Sequence, residues 1–271
     1  MAADIWPFLE VAPHFRVVCL LDSEWATLKL PAHMTWSIIA RDRDTGQFGI
    51  AVATFFFAAG ALVPHVKSRV GAIATQALVN PFYGTDGLRL LEQGATAPDV
   101  VRKIIAADLG RDHRQVHIID SQGRTAAHTG KSCLGWCGHI ENDNFSVAGN
   151  MLTAARVIED TASAYIRNAS LRFPRRLIAA IRAGEAAGGD KRGKQSAALI
   201  ICGEEEWSDL NLRVDDHADP LAELERLENV SRERFVHFMR MLPNRSDRVG
   251  VTDRQLIESK IARARAAEGS S

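Results

Sequence analysis

The rhythm of apolar and polar positions changes at residue 35. From there, short apolar runs are separated by turns rich in Gly, Asp and Ser. Thr35-Trp-Ser-Ile-Ile-Ala40 reads as a strand, Arg41 to Gln47 as a turn, and Phe48-Gly-Ile-Ala-Val-Ala-Thr54 as its hairpin partner. A third strand is predicted over Val70 to Thr75. Two short helices follow, about Thr85 to Gln93 and Ala97 to Asp108, with apolar residues recurring at three and four. Gln115 to Asp120 and Arg124 to His128 form a hairpin across Ser121-Gln-Gly123, and Phe145 to Gly149 adds a strand. Longer helices are predicted over Met151 to Asn168 and Pro174 to Ala187, the second stopped by Gly188-Gly189. A last hairpin joins Ser196 to Cys202 with Leu210 to Val214. A helix from Leu221 to about Met241, broken by Pro243, precedes one over Gln255 to Ala267.

Strands therefore come in hairpins, with helices in pairs between them. Strict strand–helix alternation would indicate a parallel doubly wound sheet; this order indicates an α+β protein with antiparallel sheets covered by helical layers. A length of 271 residues suits one large domain with tails. The expected division is 1–34 as an N-terminal extension, 35–219 as the domain, and 220–271 as a C-terminal helical tail. Phe15 to Leu21 is apolar, but no Lys or Arg precedes it, so it does not read as a secretory signal. Two readings stand: a removable propeptide, or upstream sequence translated from a start placed too early. Met34 directly before Thr35 makes that choice matter.

Lys plus Arg number 33 and Asp plus Glu number 33, so the formal charge is zero and the basic footprint of a nucleic-acid binder is missing. No apolar run approaches the roughly 20 residues of a membrane-spanning helix. Four cysteines, Cys19, Cys133, Cys137 and Cys202, are too scattered for a disulfide framework, so a reducing, cytoplasmic location is expected. Cys133, Cys137 and His139 have the makings of a zinc site, against the plainer reading of ordinary thiols in a loop.

Phosphate-loop, dinucleotide and nucleophile-elbow motifs are all missing. What stands out is a set of polar clusters at strand ends, where rigid scaffolding can hold a site. Several of these belong to a linked pattern: Thr35-Trp-Ser-Ile-Ile-Ala-Arg-Asp42, Gly71-Ala-Ile-Ala-Thr-Gln-Ala77 with Asn80, Tyr83-Gly84, His113-Arg-Gln115, His128-Thr-Gly130, Gly149-Asn150, Gly188 to Leu199, and Leu212-Arg-Val-Asp-Asp-His217. Over about Thr35 to Leu227 the chain resembles the bacterial DUF1028 family. That family is similar in fold to the N-terminal-nucleophile (Ntn) hydrolases, which implies a four-layer αββα sandwich.

The resemblance also implies a mechanism. A leading Ser, Thr or Cys attacks an amide carbonyl while its own α-amino group takes the proton, so one residue is nucleophile and base. Thr35 occupies that place, with Ser37 on the same strand face in reserve. As an internal residue Thr35 has an amide nitrogen and no base, so its N-terminus must be freed. Asn150 is the expected oxyanion donor, with helix N-capping as its competing role. Thr75, Gln76 and Asn80 are expected beside it, Thr54 next to Thr35, and Lys67 or His65 tuning the amine. In the Gly188 to Ser196 loop, Arg192 would grip a substrate carboxylate with help from Gln195 and Ser196. Alternatively, Asp190 and Arg192 pair to stiffen that loop. Asp215, Asp216 and His217 are read as capping and pairing residues before a divalent-ion site. His113, His117 and His128 are expected as core or rim residues.

The resulting expectation is hydrolysis of a carbon–nitrogen amide bond in a small-molecule substrate, with no cofactor or metal. The rivals are a non-catalytic small-ligand binder on the same fold, using Arg192 and Gln195, and a purely structural role. The exposed helices and apolar leader leave room for a homodimer.

Overall fold

Trp36, Ile38 and Ala40 alternate with Ser37 and Ile39 along the first strand, yet all five are buried. Both faces of that strand are therefore covered, which a two-layer fold cannot arrange. The computed structural model describes residues 35–189 and 193–268. It shows how the covering is done.

Strand β1 (Thr35–Arg41) turns into β2 (Phe48–Thr54). Asp42 organises the turn, its Oδ1 accepting from the Thr45 N–H at 2.8 Å, and Gly46 supplies the positive φ of 73°. Next come β3 (Pro64–Lys67) and β4 (Gly71–Ala77). Helix α1 (Pro81–Glu92) starts at an Asn80 cap with proline in its first turn, and α2 (Ala97–Ala106) at a Thr96 cap. Strands β5 (Arg114–Asp120), β6 (Thr125–Thr129), β7 (Trp136–Asn142) and β8 (Phe145–Leu152) follow. Helices α3 (Arg156–Arg167) and α4 (Phe173–Ala186) precede β9 (Ser196–Cys202) and β10 (Leu210–Val214). The chain continues through α5 (Pro220–Ser231), α6 (Phe235–Met239) and α7 (Arg254–Glu268).

The strands form a six-stranded sheet, β10-β9-β2-β1-β8-β7, and a four-stranded sheet, β3-β4-β5-β6. Every pairing is antiparallel. Three apolar clusters separate four layers. Trp36, Ile38, Ala51 and Ala53 pack against Val157, Leu177, Ile178 and Ile181 of α3 and α4. Between the sheets, Ile39, Ile50 and Val52 meet Ala72, Ala74 and Ile119. Beyond the smaller sheet, Ile73, Val116 and Ile118 pack on Leu91, Val100 and Ile104 of α1 and α2. The fold is a four-layer αββα sandwich of antiparallel sheets, the architecture the family resemblance implied.

Several element boundaries differ from the sequence reading. Strand β8 runs through Leu152, with Met151 at φ 56° and its N–H bonded to Leu134 O at 3.0 Å, so the helix expected from Met151 begins only at Arg156. Asn150 is thus a strand residue and caps no helix. The segment read as a thiol loop contains strand β7, whose Trp136 and Ile140 pack on the large core. The helix expected from Leu221 to Met241 breaks into α5 and α6. Helix α5 sends Leu221 and Leu224 into the main core, while Met241, Ile257 and Ile261 form a small separate cluster. The extension 1–34, with Cys19, lies outside the described residues.

Among the described residues no helix is long and apolar enough to cross a membrane.

Candidate functional site

The space between the sheets is apolar at one end and polar at the other. Opposed residues of antiparallel strands share a face. Pairing therefore lines up Asn150, Thr35, Thr54 and Ser196 across β8, β1, β2 and β9. Ser37, on the same face of β1, reaches the other sheet: its Oγ lies 2.7 Å from Gln76 Oε1 and 2.9 Å from His117 Nε2. The row of four accordingly sits on the inter-sheet face, at the start of β1. Thr35 retains 7% exposure, and its Oγ1 is 2.9 Å from Thr54 Oγ1.

Behind this row the polar side chains form one connected network. Gln115 Nε2 lies 2.9 Å from Gly149 O and 3.1 Å from Gly138 O. Carbonyls only accept, so this end of the amide is the nitrogen. Gln115 Oε1 then accepts from Gln76 Nε2 at 2.8 Å and from Asn150 Nδ2 at 3.0 Å. Gln76 Oε1 consequently faces Ser37 and takes its hydroxyl proton. With that proton committed, Ser37 Oγ is left to accept from His117 Nε2, and His117 Nδ1 lies 3.1 Å from Ser146 Oγ. The imidazole is neutral: complete burial, with a smaller push from His139 and a hydrogen bond to the Ser146 backbone opposing, holds its pKa down at about 3. One atom is left over: among the described residues, buried Asn150 Oδ1 has no hydrogen-bond partner.

This polarity decides what the serine can do. A nucleophilic serine needs a base that accepts its proton, and here the imidazole donates to Ser37 instead. The Ser37 proton goes to an amide oxygen, not to a base.

Comparison with known proteins places this geometry in a family. The model of the family of unknown function DUF1028 matches residues 35–224. The chain belongs to DUF1028. The crystal structure of protein SPO2555 from Silicibacter pomeroyi, described with the same family, is similar with a TM-score of 0.75 at 31% identity, covering 81% of this chain and 100% of that one. No curated protein matches the chain.

The DUF1028 sandwich brings Thr35, Thr54, Asn150, Gln76 and Ser196 to the same end of the inter-sheet space, but it gives them different work. Ser196 Oγ donates to Phe56 O at 2.6 Å and accepts from the Ala59 N–H at 3.1 Å, which ties β9 to the turn after β2. Gln195 also splints the loop: its N–H donates to Thr54 O at 2.9 Å and its Nε2 to Asp216 Oδ1 at 3.1 Å. Lys194 anchors this loop through Asp219 at 2.6 Å and through Glu185. Asp190 and Arg192 lie outside the described residues. Asn150, the expected oxyanion donor, is fixed in orientation by the network. Asn150 Nδ2 gives one of its two hydrogens to Gln115 Oε1 at 3.0 Å, and the atom left without a partner among the described residues is the acceptor Oδ1.

Other expected site residues stand elsewhere. Thr75 points to the opposite face of β4 from Gln76, its Oγ1 3.3 Å from Asn80 O. Asn80 caps α1 and donates to Asp108 Oδ2 at 3.1 Å. Lys67 pairs with Gly71, five residues from Gln76 and so roughly 17 Å along the strand; it bonds Glu92 at 2.6 Å. His65 lies against Gly84 of α1, and burial lowers its pKa, a hydrogen bond to Leu62 opposing.

Arg213 grips Asp215 with both prongs, and His217 Nδ1 accepts from the Asp219 N–H at 3.0 Å. Burial pushes the Cys133 and Cys137 thiols up, away from the thiolate that metal binding requires. Among the described residues no three His, Cys, Asp or Glu side chains converge as metal ligands.

The residues the sequence reading missed are Gln115 and Ser146, and it took His117 for a generic core residue. A signal was present. Gln115 and His117 stand two apart and Ser146 and Asn150 four apart, so each polar pair shares one face of a strand otherwise apolar on both faces. That is the signature of one polar face inside a doubly covered sheet.

Proposed function

We propose that this protein hydrolyses a carbon–nitrogen amide bond of a small molecule, with Thr35 as nucleophile once its α-amino group is free. The observation that carries this reading is the place of Thr35. It opens an interior strand of the six-stranded sheet, faces the inter-sheet space, and lies in register between Asn150 and Thr54 with its hydroxyl 2.9 Å from that of Thr54. The rival hydroxyl on the same strand, Ser37, is consumed by the network.

In this mechanism Thr35 Oγ1 bonds to the amide carbonyl carbon while its proton passes to the α-amine. An α-amino group ordinarily titrates near 7.7–8.0, far closer to neutral pH than a lysine amine, so it can act as a base there. The tetrahedral intermediate collapses by breaking the C–N bond, and the ammonium returns the proton to the leaving amine. Water then attacks the Thr35 ester, the α-amine again taking the proton, and the acid product departs with Thr35 restored. The Thr54 hydroxyl fixes the direction of Oγ1 between the two attacks.

Mass spectrometry of the intact protein tests the first requirement, a mature chain whose first residue is Thr35. A library of small amides then compares wild type with Thr35→Ala. Turnover by wild type alone is expected, whereas equal turnover by both removes the mechanism.

A further inference from the structure

We propose that Asn150 positions the α-amine of Thr35 through its side-chain oxygen, as the acceptor of the free ammonium. This rests on the reading of Thr35 as nucleophile.

The hydrogen-bond polarity fixes which atom Asn150 presents. Gly138 O and Gly149 O hold the Gln115 amide nitrogen, Gln115 Oε1 in turn holds Asn150 Nδ2, and a flip of Asn150 would set two amide oxygens against each other. Oδ1 therefore faces away from Gln115, fully buried and without a donor among the described residues. Such an atom is uncommon in a folded protein and is destabilising if nothing satisfies it.

The ladder aims the Thr35 nitrogen at the same residue. Arg41 N–H donates to Asn144 O at 2.8 Å. Antiparallel pairs alternate in type, so Ile39 with Ser146, Ser37 with Ala148 and Thr35 with Asn150 are all of the hydrogen-bonded kind. The Thr35 nitrogen thus points at β8, and its side chain stands on the same face as that of Asn150. As a peptide nitrogen it has one hydrogen, committed to the Asn150 backbone carbonyl. As a free ammonium it has three. Freeing the N-terminus supplies the donor that Oδ1 lacks, and the carbonyl dipole of Oδ1 then favours the charged amine and raises its pKa.

The test follows the α-amine itself, not catalysis. Mature protein is labelled with acetic anhydride across a pH series, and acetylation of the N-terminal peptide is read by mass spectrometry. Asn150→Leu should move the labelling midpoint down by about one pH unit, the size of one lost hydrogen bond to the charged form. A crystal structure of the mature wild type, which needs no variant to fold, should show the Thr35 nitrogen within hydrogen-bond distance of Oδ1.

An unmoved midpoint in a folded Asn150→Leu chain beginning at Thr35, or a mature structure with Oδ1 bonded elsewhere, overturns this inference and leaves the nucleophile standing. A mature chain still carrying Met34 on Thr35 overturns both.

Discussion

Ser37 Oγ and His117 Nε2 lie 2.9 Å apart across the two sheets, and the amide network commits the serine proton to Gln76 Oε1, 2.7 Å away. A serine beside a histidine invites a catalytic reading. Here the chain of amides from Gly149 O through Gln115 and Gln76 consumes the serine proton. Ser37→Ala therefore leaves Gln76 Oε1 without a donor and His117 Nε2–H without an acceptor. The expected cost is about 1–3 kcal/mol of stability in urea unfolding. Hydrolysis per folded molecule should survive, unlike in Thr35→Ala; its complete loss in a stably folded Ser37→Ala protein would contradict the assignment.

The same burial makes stability depend on pH. The His117 pKa is about 3 folded against 6.5 as the ordinary value, so between these limits the unfolded chain binds a proton that the native state refuses. Stability should fall as pH drops from 6.5 towards 3, with His117 contributing a slope of up to about 1.4 kcal/mol per pH unit. Denaturant melts at stepped pH measure it. His117→Gln should show a shallower fall, and identical slopes in both proteins would refute the neutral imidazole.

Asp108 predicts a second acid-side loss of different origin. Partial burial pushes its carboxyl up. Hydrogen bonds from Tyr83, the Gly110 N–H, Asn80 and Arg114 outweigh that and hold it at about 2. A carboxyl depressed in the folded state stabilises above its ordinary pKa and loses that contribution as pH falls from about 4 to 2. Asp108→Asn should be less stable at neutral pH, and its gap from wild type should close over that window.

Gly184 sits inside α4, where alanine would ordinarily gain up to about 1 kcal/mol of helix propensity. A Cβ there would lie 2.8 Å from Trp36 Nε1 and 2.9 Å from Val157 O. Helix α3 and the Trp36 indole, which bonds Ile181 O, would both have to move. Overpacking of this kind typically costs 1–3 kcal/mol, so the clash wins and Gly184→Ala should lower the melting temperature. A rise would show that α3 and α4 pack more loosely than this.

The fold was legible where a local rule acted alone. The hairpins at Asp42 to Gly46 and at Asp120 to Gly123, and the strands Phe48–Thr54, Ser196–Cys202 and Leu210–Val214, follow from turn chemistry and apolar runs. Strands β3 and β7 were not legible. β3 has four residues and begins with proline, and β7 is interrupted by a register shift between Trp136 and Gly138, so neither shows a clean period. The helix start differs from Met151 because Met-Leu-Thr-Ala-Ala has good helical propensity, while the Met151 N–H bond to Leu134 O and the pairing of Leu152 with Trp136 of β7 extend the strand.

For the candidate site, the sequence by itself determined that Thr35 opens a strand, that Ser37 shares its face, and that polar residues gather at strand ends. These are consequences of period two, which acts between neighbours along the chain. Only the tertiary structure decided which polar groups meet. Gln115 comes 80 residues after Thr35, yet its amide fixes the direction of every hydrogen bond from Asn150 to Ser146. Hydrogen-bond polarity is a property of the closed network, set where side chains meet backbone carbonyls that can only accept. No spacing along the chain encodes it.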